Sequence, residues 1–179
     1  MILRQLNKEV YFVTDPDAKV GHQDIEFLKR KAAENERKRV RVCVHKTMDD
    51  PVHEMILVLA KDAYAMPHKH LKKIESYHII EGVADAIIFD EEGHITDMTR
   101  VGDYASRLML YYRIAQPCYH TFLIRSDFLV FHETTNGPFE KSEMIPAPWA
   151  PEETDAVEVK GFMDRLARAA ERFRHEEHT

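Results

Sequence analysis

Short apolar stretches separated by turn residues make up most of the chain. The alternation Arg-Val-Arg-Val-Cys-Val-His over residues 39–45 predicts a strand with its valines on one face. Further strands are predicted where apolar runs of similar length recur, at residues 10–13, 54–60, 76–81, 83–90, 94–101, 107–114, 119–124 and 128–133. Many short strands at close spacing are typical of an all-β sandwich or barrel.

Two helical patterns flank this β region. Residues 24–38 repeat apolar positions near helical spacing, and Asp24 is a candidate helix cap. Residues 161–175 carry an apolar stripe that predicts a C-terminal helix. The proline-rich segment before it contains Trp149, which we expect to fix this segment to the body of the protein rather than to cover the barrel mouth.

The order of these elements divides the chain into three parts. Residues 1–50 form an N-terminal extension of strand, helix and strand that packs on a barrel. Residues 51–145 form the barrel, and residues 146–179 hold the proline-rich segment and the C-terminal helix. A length of 179 residues with 44% hydrophobic residues suits one folded domain with such extensions.

Charge and cysteine content narrow the classes of protein. The net charge of -6 and the pI near 6.0 argue against a nucleic-acid partner. The N-terminal sequence lacks the apolar run of a signal peptide, and no segment approaches the roughly 18 apolar residues of a membrane span. With only Cys43 and Cys118, no disulfide framework is expected. We therefore expect a soluble cytoplasmic protein without a membrane partner.

A cluster of metal-ligand residues lies in the middle of the chain. His68 and His70 are one residue apart, so on a strand both imidazoles point to one side. Glu75 follows after a stretch that could turn the carboxylate back beside them, and His120 lies in a later predicted strand. Three imidazoles and one carboxylate suit a divalent metal and leave one or two coordination positions open.

This ligand set does not select one metal. Iron, manganese, cobalt, nickel, zinc and copper all accept histidine and carboxylate ligands, and we expect one such ion per chain. Two other interpretations stay open: a loop of solvated charged residues without metal, and a purely structural metal. Structural sites are usually closed and rich in cysteine, which fits this set poorly.

Two further residues are candidates for catalysis. Tyr77 lies two residues after Glu75, so it faces the same side of a strand and could hydrogen-bond a ligand, or it could be a core aromatic residue. Glu133 ends an apolar strand and could be a buried acid that transfers protons, or a group at the rim. His178 is expected to be a surface histidine.

A cationic strand face is the third candidate feature. Arg39, Arg41 and His45 alternate with valines and therefore share one face of their strand. This face could bind an anionic substrate such as a carboxylate or a sugar phosphate, or it could be a solvated outer face.

The metal-ligand segment resembles the first motif of the cupin superfamily. His68, His70, Glu75 and Gly82 match that motif, with Asp62 in place of its leading glycine. The second motif is matched in part by Pro117 and His120, with a shorter spacing between them and without the internal glycine and the final asparagine.

A more specific similarity is to the WbuC-type cupin metalloproteins, which often occur near surface-glycan genes. It extends over residues 24–155 and rests on blocks in a fixed order, which are Arg37-Lys38-Arg39-Val40-Arg41, Asp49-Asp50-Pro51-Val52-His53-Glu54-Met55, Pro67-His68-Lys69-His70, Glu75-Ser76-Tyr77, Gly137-Pro138-Phe139 and Trp149-Ala150-Pro151.

The resemblance implies a cupin jelly roll with helical extensions, a metal held by His68, His70, Glu75 and His120, and a homodimer. It implies a small-molecule ligand, such as a sugar or sugar-nucleotide derivative. Three functions stay open: a metal-dependent enzyme such as an isomerase, epimerase or hydrolase, an iron-dependent dioxygenase, and a non-catalytic metal-dependent binding protein for a carbohydrate or small acid.

Overall fold

A computed structural model of the protein describes residues 1–177. His178, which was predicted to be a surface histidine, and the end of the predicted C-terminal part lie outside these described residues.

Two β-sheets form the body of the protein. Their strands are β1 (Leu3–Gln5), β2 (Val10–Val13), β3 (Arg39–Cys43), β4 (Val52–Ala60), β5 (His68–His70), β6 (Glu75–Glu81), β7 (Val83–Phe89), β8 (Ile95–Gly102), β9 (Tyr111–Ile114), β10 (Tyr119–Ile124), β11 (Phe128–Asn136) and β12 (Met144–Pro146). The seven-stranded sheet has the order β1-β2-β3-β4-β11-β6-β9, and the five-stranded sheet has the order β12-β5-β10-β7-β8. All neighbouring strands in these sheets are antiparallel except β2 and β3.

Apolar side chains from both sheets meet in the interior. Phe122 of the smaller sheet contacts Phe131 of the larger sheet, with ring centroids 5.4 Å apart. Leu129, Ile79 and other buried residues surround this pair. Full burial of one such Leu or Phe side chain contributes roughly 1.5–3 kcal/mol, so this layer holds the two sheets together.

Helix α1 (His22–Glu34) covers the outer face of the seven-stranded sheet. It begins two residues earlier and ends four residues sooner than predicted. The N-cap is Gly21, so the prediction that Asp24 caps the helix was wrong. Asp24 is instead the third residue of the helix, and its carboxylate accepts a hydrogen bond of 2.8 Å from the Gly21 N–H. The helix stops because Asn35 adopts an extended backbone.

Helix α2 (Ala156–Glu177) packs on the outer face of the smaller sheet and extends beyond the predicted residues 161–175. Trp149 lies between Phe89 and Phe162, at centroid distances of 4.9 and 6.2 Å. The indole therefore fixes the proline-rich segment between sheet and helix, as expected.

A buried carboxylate anchors the far end of α2. Asp85 on β7 is fully buried and accepts hydrogen bonds from Arg100, Arg125 and, at 2.9 Å, Arg174 of α2. Burial alone would raise the pKa of Asp85, but the bonds from the guanidinium groups outweigh it and lower the pKa.

The predicted all-β class, a jelly-roll-like pair of sheets with helices towards both ends, is confirmed by this architecture. One strand prediction was too long: β9 begins at Tyr111 rather than at residue 107, because Tyr104–Ser106 form a 3-10 turn and Arg107 has a left-handed φ of 61°. The N-terminal strands join the larger sheet by hydrogen bonds, while the division into three parts stays a prediction. Among the described residues, no helix is long and apolar enough to cross a membrane.

Candidate metal centre

Three predicted ligands from both sheets converge in the interior. His68 on β5 lies directly opposite His120 on β10, because these strands pair antiparallel in that register. Glu75 begins β6 in the other sheet and projects its carboxylate towards both rings. One ligand atom from each of the three residues lies within 4.8 Å of the others, which makes this trio a candidate metal site.

The fourth predicted ligand, His70, joins the same cluster. Its Nε2 atom lies 3.2 Å from Oε1 of Glu75, and Nε2 of His120 lies 3.2 Å from Oε2 of the same carboxylate. The ring centroids of His68 and His70 are 5.0 Å apart. The structure therefore places His70 against Glu75, next to the trio His68, Glu75 and His120 whose ligand atoms all lie within 4.8 Å of one another.

Backbone carbonyl groups orient two of the rings. Nδ1 of His68 donates to the carbonyl of Met66 at 2.9 Å, and Nδ1 of His120 donates to that of Cys118 at 3.0 Å. Because a carbonyl oxygen only accepts, each Nδ1 carries a proton, which leaves Nε2 as the atom available to a metal. In both cases the acceptor lies two residues before the histidine, on the chain that enters the strand.

The donor atoms fit a divalent transition metal. One ligand atom each from His68, Glu75 and His120 lies within 4.8 Å of the others, and imidazole nitrogen and carboxylate oxygen are donor types that such metals accept. His70 Nδ1 is buried and without a hydrogen-bond partner, so nothing within residues 1–177 holds that ring from behind. Three imidazole nitrogens and one carboxylate suit iron, manganese, cobalt, nickel or zinc.

Without a metal, the pKa values of His120, Glu75 and His68 depend on one another. Burial opposes a charge on His120, but its hydrogen bonds to Cys118 and Glu75 outweigh burial and raise its pKa to about 10. The pKa of Glu75 is lowered because bonds from His120 and His70 outweigh the effect of burial. Burial and the neighbouring charge on His120 lower the pKa of His68 to about 4. A proton therefore occupies the His120–Glu75 contact at neutral pH.

Both predicted catalytic residues lie beside this cluster. Tyr77 and Glu133 face each other in register across β6 and β11, and the Tyr77 hydroxyl oxygen lies 3.4 Å from His120 Nε2. Burial raises the pKa of Tyr77 well above its usual value, so the phenol stays neutral. Burial and the charge of Glu75 raise the pKa of Glu133 to about 8, so Glu133 keeps a proton at neutral pH.

Solvent still reaches the cluster. His68, His70 and Glu133 belong to the interior polar cluster, yet each keeps partial exposure. The His70 side chain, for example, is 11% exposed. Part of the cluster is therefore accessible to solvent.

The predicted cationic face separates into three different environments. Arg39 forms ion pairs with Glu9 and Glu153, the latter at 2.8 Å. His45 stacks on His53 with ring centroids 4.1 Å apart. Arg41 forms no ion pair with any of residues 1–177, and its charge acts on Glu133. Of the three residues, Arg41 is the one whose charge lowers the pKa of Glu133.

Sequence reasoning missed several contributors to the site. The carbonyl groups of Met66 and Cys118 have no side-chain signal, because any residue supplies a carbonyl. Lys73 was also missed: it is buried, and its Nζ donates to the carbonyl of Asn136 at 2.9 Å. Its place between the exposed Lys72 and Ile74, in a segment read as a simple turn, concealed it.

One family model matches part of the chain. A family model described as a domain of unknown function (DUF6016) matches residues 20–101, which include His68, His70 and Glu75 but not His120 or Glu133. A search among curated proteins gave no match.

Several solved structures share part of the arrangement. Protein SO0799 from Shewanella oneidensis is 13% identical with a TM-score of 0.47, covering 57% of this chain and 66% of that one. Oxalate decarboxylase from Bacillus subtilis is 19% identical with a TM-score of 0.46, covering 60% of this chain and 27% of the enzyme. Procruciferin, an 11S globulin from Brassica napus, is 11% identical with a TM-score of 0.41, covering 49% and 21%. This chain thus spans less than two thirds of each, and at such similarity no activity is transferred.

Proposed function

We propose that this protein is a metal-dependent enzyme of the cupin type, similar to the WbuC-type proteins, which acts on a small polar substrate such as a sugar or sugar-nucleotide derivative. His68, His70, Glu75 and His120 would hold one divalent ion per chain. The observation that carries this proposal is the orientation of His68 and His120. Both rings donate Nδ1 protons to backbone carbonyls and thereby keep Nε2 available beside Glu75.

A bound metal would act as a Lewis acid on oxygen atoms of the substrate. Glu133 supplies the second requirement of such chemistry, a proton donor inside the barrel. With a pKa of about 8, this carboxyl group is protonated at neutral pH and still ionises within reach of physiological conditions. A group of that kind can both give and take a proton, as isomerisation and epimerisation require.

Tyr77 has a different role in this proposal. Its hydroxyl group lies 3.4 Å from His120 Nε2, and its high pKa keeps it neutral. A neutral phenol can donate a hydrogen bond to a substrate oxygen at the metal without taking the proton itself. Phe122 and Phe131 pack against the Tyr77 ring and hold the hydroxyl in place.

A homodimer belongs to the same proposal. The larger sheet ends in β1 and β9, and open sheet edges invite pairing with a second copy. Exposed apolar side chains lie at both places, including Leu6 just after β1 and Tyr111 on β9. Size-exclusion chromatography with light scattering tests this part, and a monomer at micromolar concentration would contradict it.

The enzyme is distinguished from a binding protein by exchange of protons with the solvent. Metal-loaded protein is incubated in heavy water with a panel of sugars and sugar nucleotides, and deuterium incorporation is followed by NMR. We expect Glu133→Gln to lose incorporation at unchanged metal content. The matched control is Glu54→Gln, because Glu54 lies on the adjacent strand β4 and its side chain is about half exposed.

Three results decide between the candidate functions. Incorporation lost only in Glu133→Gln supports the enzyme. Ligand binding without turnover, changed only in affinity by Glu133→Gln, would make the protein a metal-dependent binding protein. Iron as the native metal, with oxygen consumed in the presence of a panel compound, would make it a dioxygenase.

A further inference from the structure

Arg41 is a cation without an ion-pair partner in the part of the chain that the structure describes. Its Nε atom is buried and makes no hydrogen bond, and within residues 1–177 its guanidinium forms no ion pair. The backbone of β3 explains its direction. Val40 and Val42 pack under α1 on the outer face of the sheet, so the alternating Arg41 points to the inner face.

Arg41 lies on the same inner face of the larger sheet as Glu133 and Glu75 of the candidate centre. It pairs in register with Leu57 on β4, which in turn pairs with Phe131 on β11. Glu133 lies two residues further along β11 on the same face, and the positive charge of Arg41 lowers the pKa of Glu133. Arg41 and Glu75 are thus three strands apart, or about 14 Å across the sheet at a spacing of about 4.8 Å. Arg41 is level with Ile79 of β6, so Glu75 also lies four residues, or about 13 Å, further along the strand direction.

A second cation strengthens the positive field in this region. Lys73 is buried, donates only to the carbonyls of Asn136 and Pro138, and has no carboxylate within ion-pair distance among the described residues. Its charge also acts on Glu133. The buried Lys73 ammonium and the buried, unbonded Nε of Arg41 are costly to desolvate unless a ligand supplies negative charge.

We propose that Arg41 is a substrate-binding residue that holds an oxyanion, a carboxylate or a phosphate, at one end of an extended ligand whose other end reaches the candidate metal ligands. This inference rests on the proposed function for the metal end only. The guanidinium suits such a group, since its Nε–H and Nη–H donors form a planar fork that matches two oxygen atoms. The strand spacing favours a ligand longer than a two-carbon diacid.

The test compares Arg41→Gln with Arg39→Gln at pH 7. Arg39 is the matched control because it lies on the same strand and face but is already paired with Glu9 and Glu153. Zinc-loaded and metal-free forms of each protein are titrated calorimetrically with inorganic phosphate and with succinate, and zinc content is measured. We expect wild type to bind one anion per chain, Arg41→Gln to bind at least about tenfold more weakly, and Arg39→Gln to bind as wild type does.

The two probes and the two forms separate the outcomes. Preference for phosphate or for succinate identifies the type of oxyanion. Anion binding unchanged in Arg41→Gln, or absent in wild type, overturns the inference. If the protein takes up no zinc but Arg41→Gln still loses the anion, the proposed function fails and the anion site stands.

A second variant separates binding from a structural role. Arg41→Met keeps most of the apolar packing and removes the charge. Because the charge has no partner, we expect the Tm of the ligand-free protein to rise or stay the same while anion binding is lost. A lower Tm together with retained anion binding would give Arg41 a structural role and overturn the inference.

Discussion

His68 and His120 lie directly opposite each other on paired strands, with ring centroids 4.7 Å apart, although 51 residues separate them in the chain. Both rings take their orientation from a carbonyl two residues earlier. The pairing of β5 with β10 therefore builds half of the candidate site before any ion binds. The hairpin-like return to Glu75 supplies the carboxylate from the opposite sheet.

Metal binding should release about one proton at pH 8. The metal-free protein holds a proton on His120, whose pKa is raised to about 10, whereas His68 is already neutral with its pKa of about 4. A metal that takes His120 Nε2 must displace that proton. Calorimetric titration of zinc in two buffers with different ionisation enthalpies measures the release. Identical enthalpies in both buffers would contradict the protonation state assigned to His120.

Glu133 should make the metal-free protein less stable as the pH rises. In the folded protein Glu133 keeps its proton up to a pKa of about 8, whereas the unfolded chain loses it near the ordinary value of 4.5. Between these values unfolding releases a proton, so the free energy of unfolding falls by up to about 1.4 kcal/mol per pH unit.

The variant Glu133→Gln removes this contribution because glutamine does not ionise. Urea denaturation at pH 5, 6, 7 and 8 measures the effect, and we expect the variant to depend on pH less steeply than wild type. Equal slopes in both proteins would show that Glu133 ionises normally. Glu54→Gln, with its half-exposed side chain, serves as the control and should follow wild type.

Asp85→Asn should cost about 3–5 kcal/mol of unfolding free energy. Asp85 is fully buried among Arg100, Arg125 and Arg174, and its loss leaves three guanidinium groups without their shared carboxylate. Chemical denaturation measures the change. The control Asp97→Asn lies at an exposed position of β8, and we expect less than about 0.5 kcal/mol there. Equal effects in both variants would remove Asp85 as the anchor of α2.

Two glycines should respond to alanine in opposite directions. Gly82 has a φ of +92°, and a Cβ atom there would lie 2.0 Å from the Phe128 carbonyl oxygen, so Gly82→Ala should cost at least about 1–3 kcal/mol. Gly161 lies inside α2 with only the flexible end of Arg165 nearby, so Gly161→Ala should gain about 0.5–1 kcal/mol. Thermal denaturation of both variants tests the pair, and a tolerated alanine at Gly82 would contradict the tight turn between β6 and β7.

The sequence predicted the strands best where apolar residues alternate. Val40 and Val42 indicate β3 directly, because one face of the strand packs under α1. The helix ends were harder to predict. The stop at Asn35 and the left-handed Arg107 depend on local backbone geometry for which the apolar pattern has no signal.

In the candidate site, too, features with a local sequence pattern were predictable and features that depend on distant contacts were not. The spacing of His68, His70 and Glu75 was visible because alternation and a short return act over a few residues. The different environments of Arg39 and Arg41 were not predictable. Arg39 is paired with Glu153 more than a hundred residues away, and only the folded chain brings that partner to one arginine and not to the other.

The proposed metal centre is tested most directly by elemental analysis of untagged protein. Wild type is compared with the double variant His68→Ala/His120→Ala and with His94→Ala, which removes an exposed histidine paired with Asp90. We predict about one transition-metal ion per chain in wild type and in His94→Ala, and none in the double variant. Wild type without metal that also fails to take up added zinc, iron, nickel or manganese would contradict the metal centre, as would a double variant that keeps its metal.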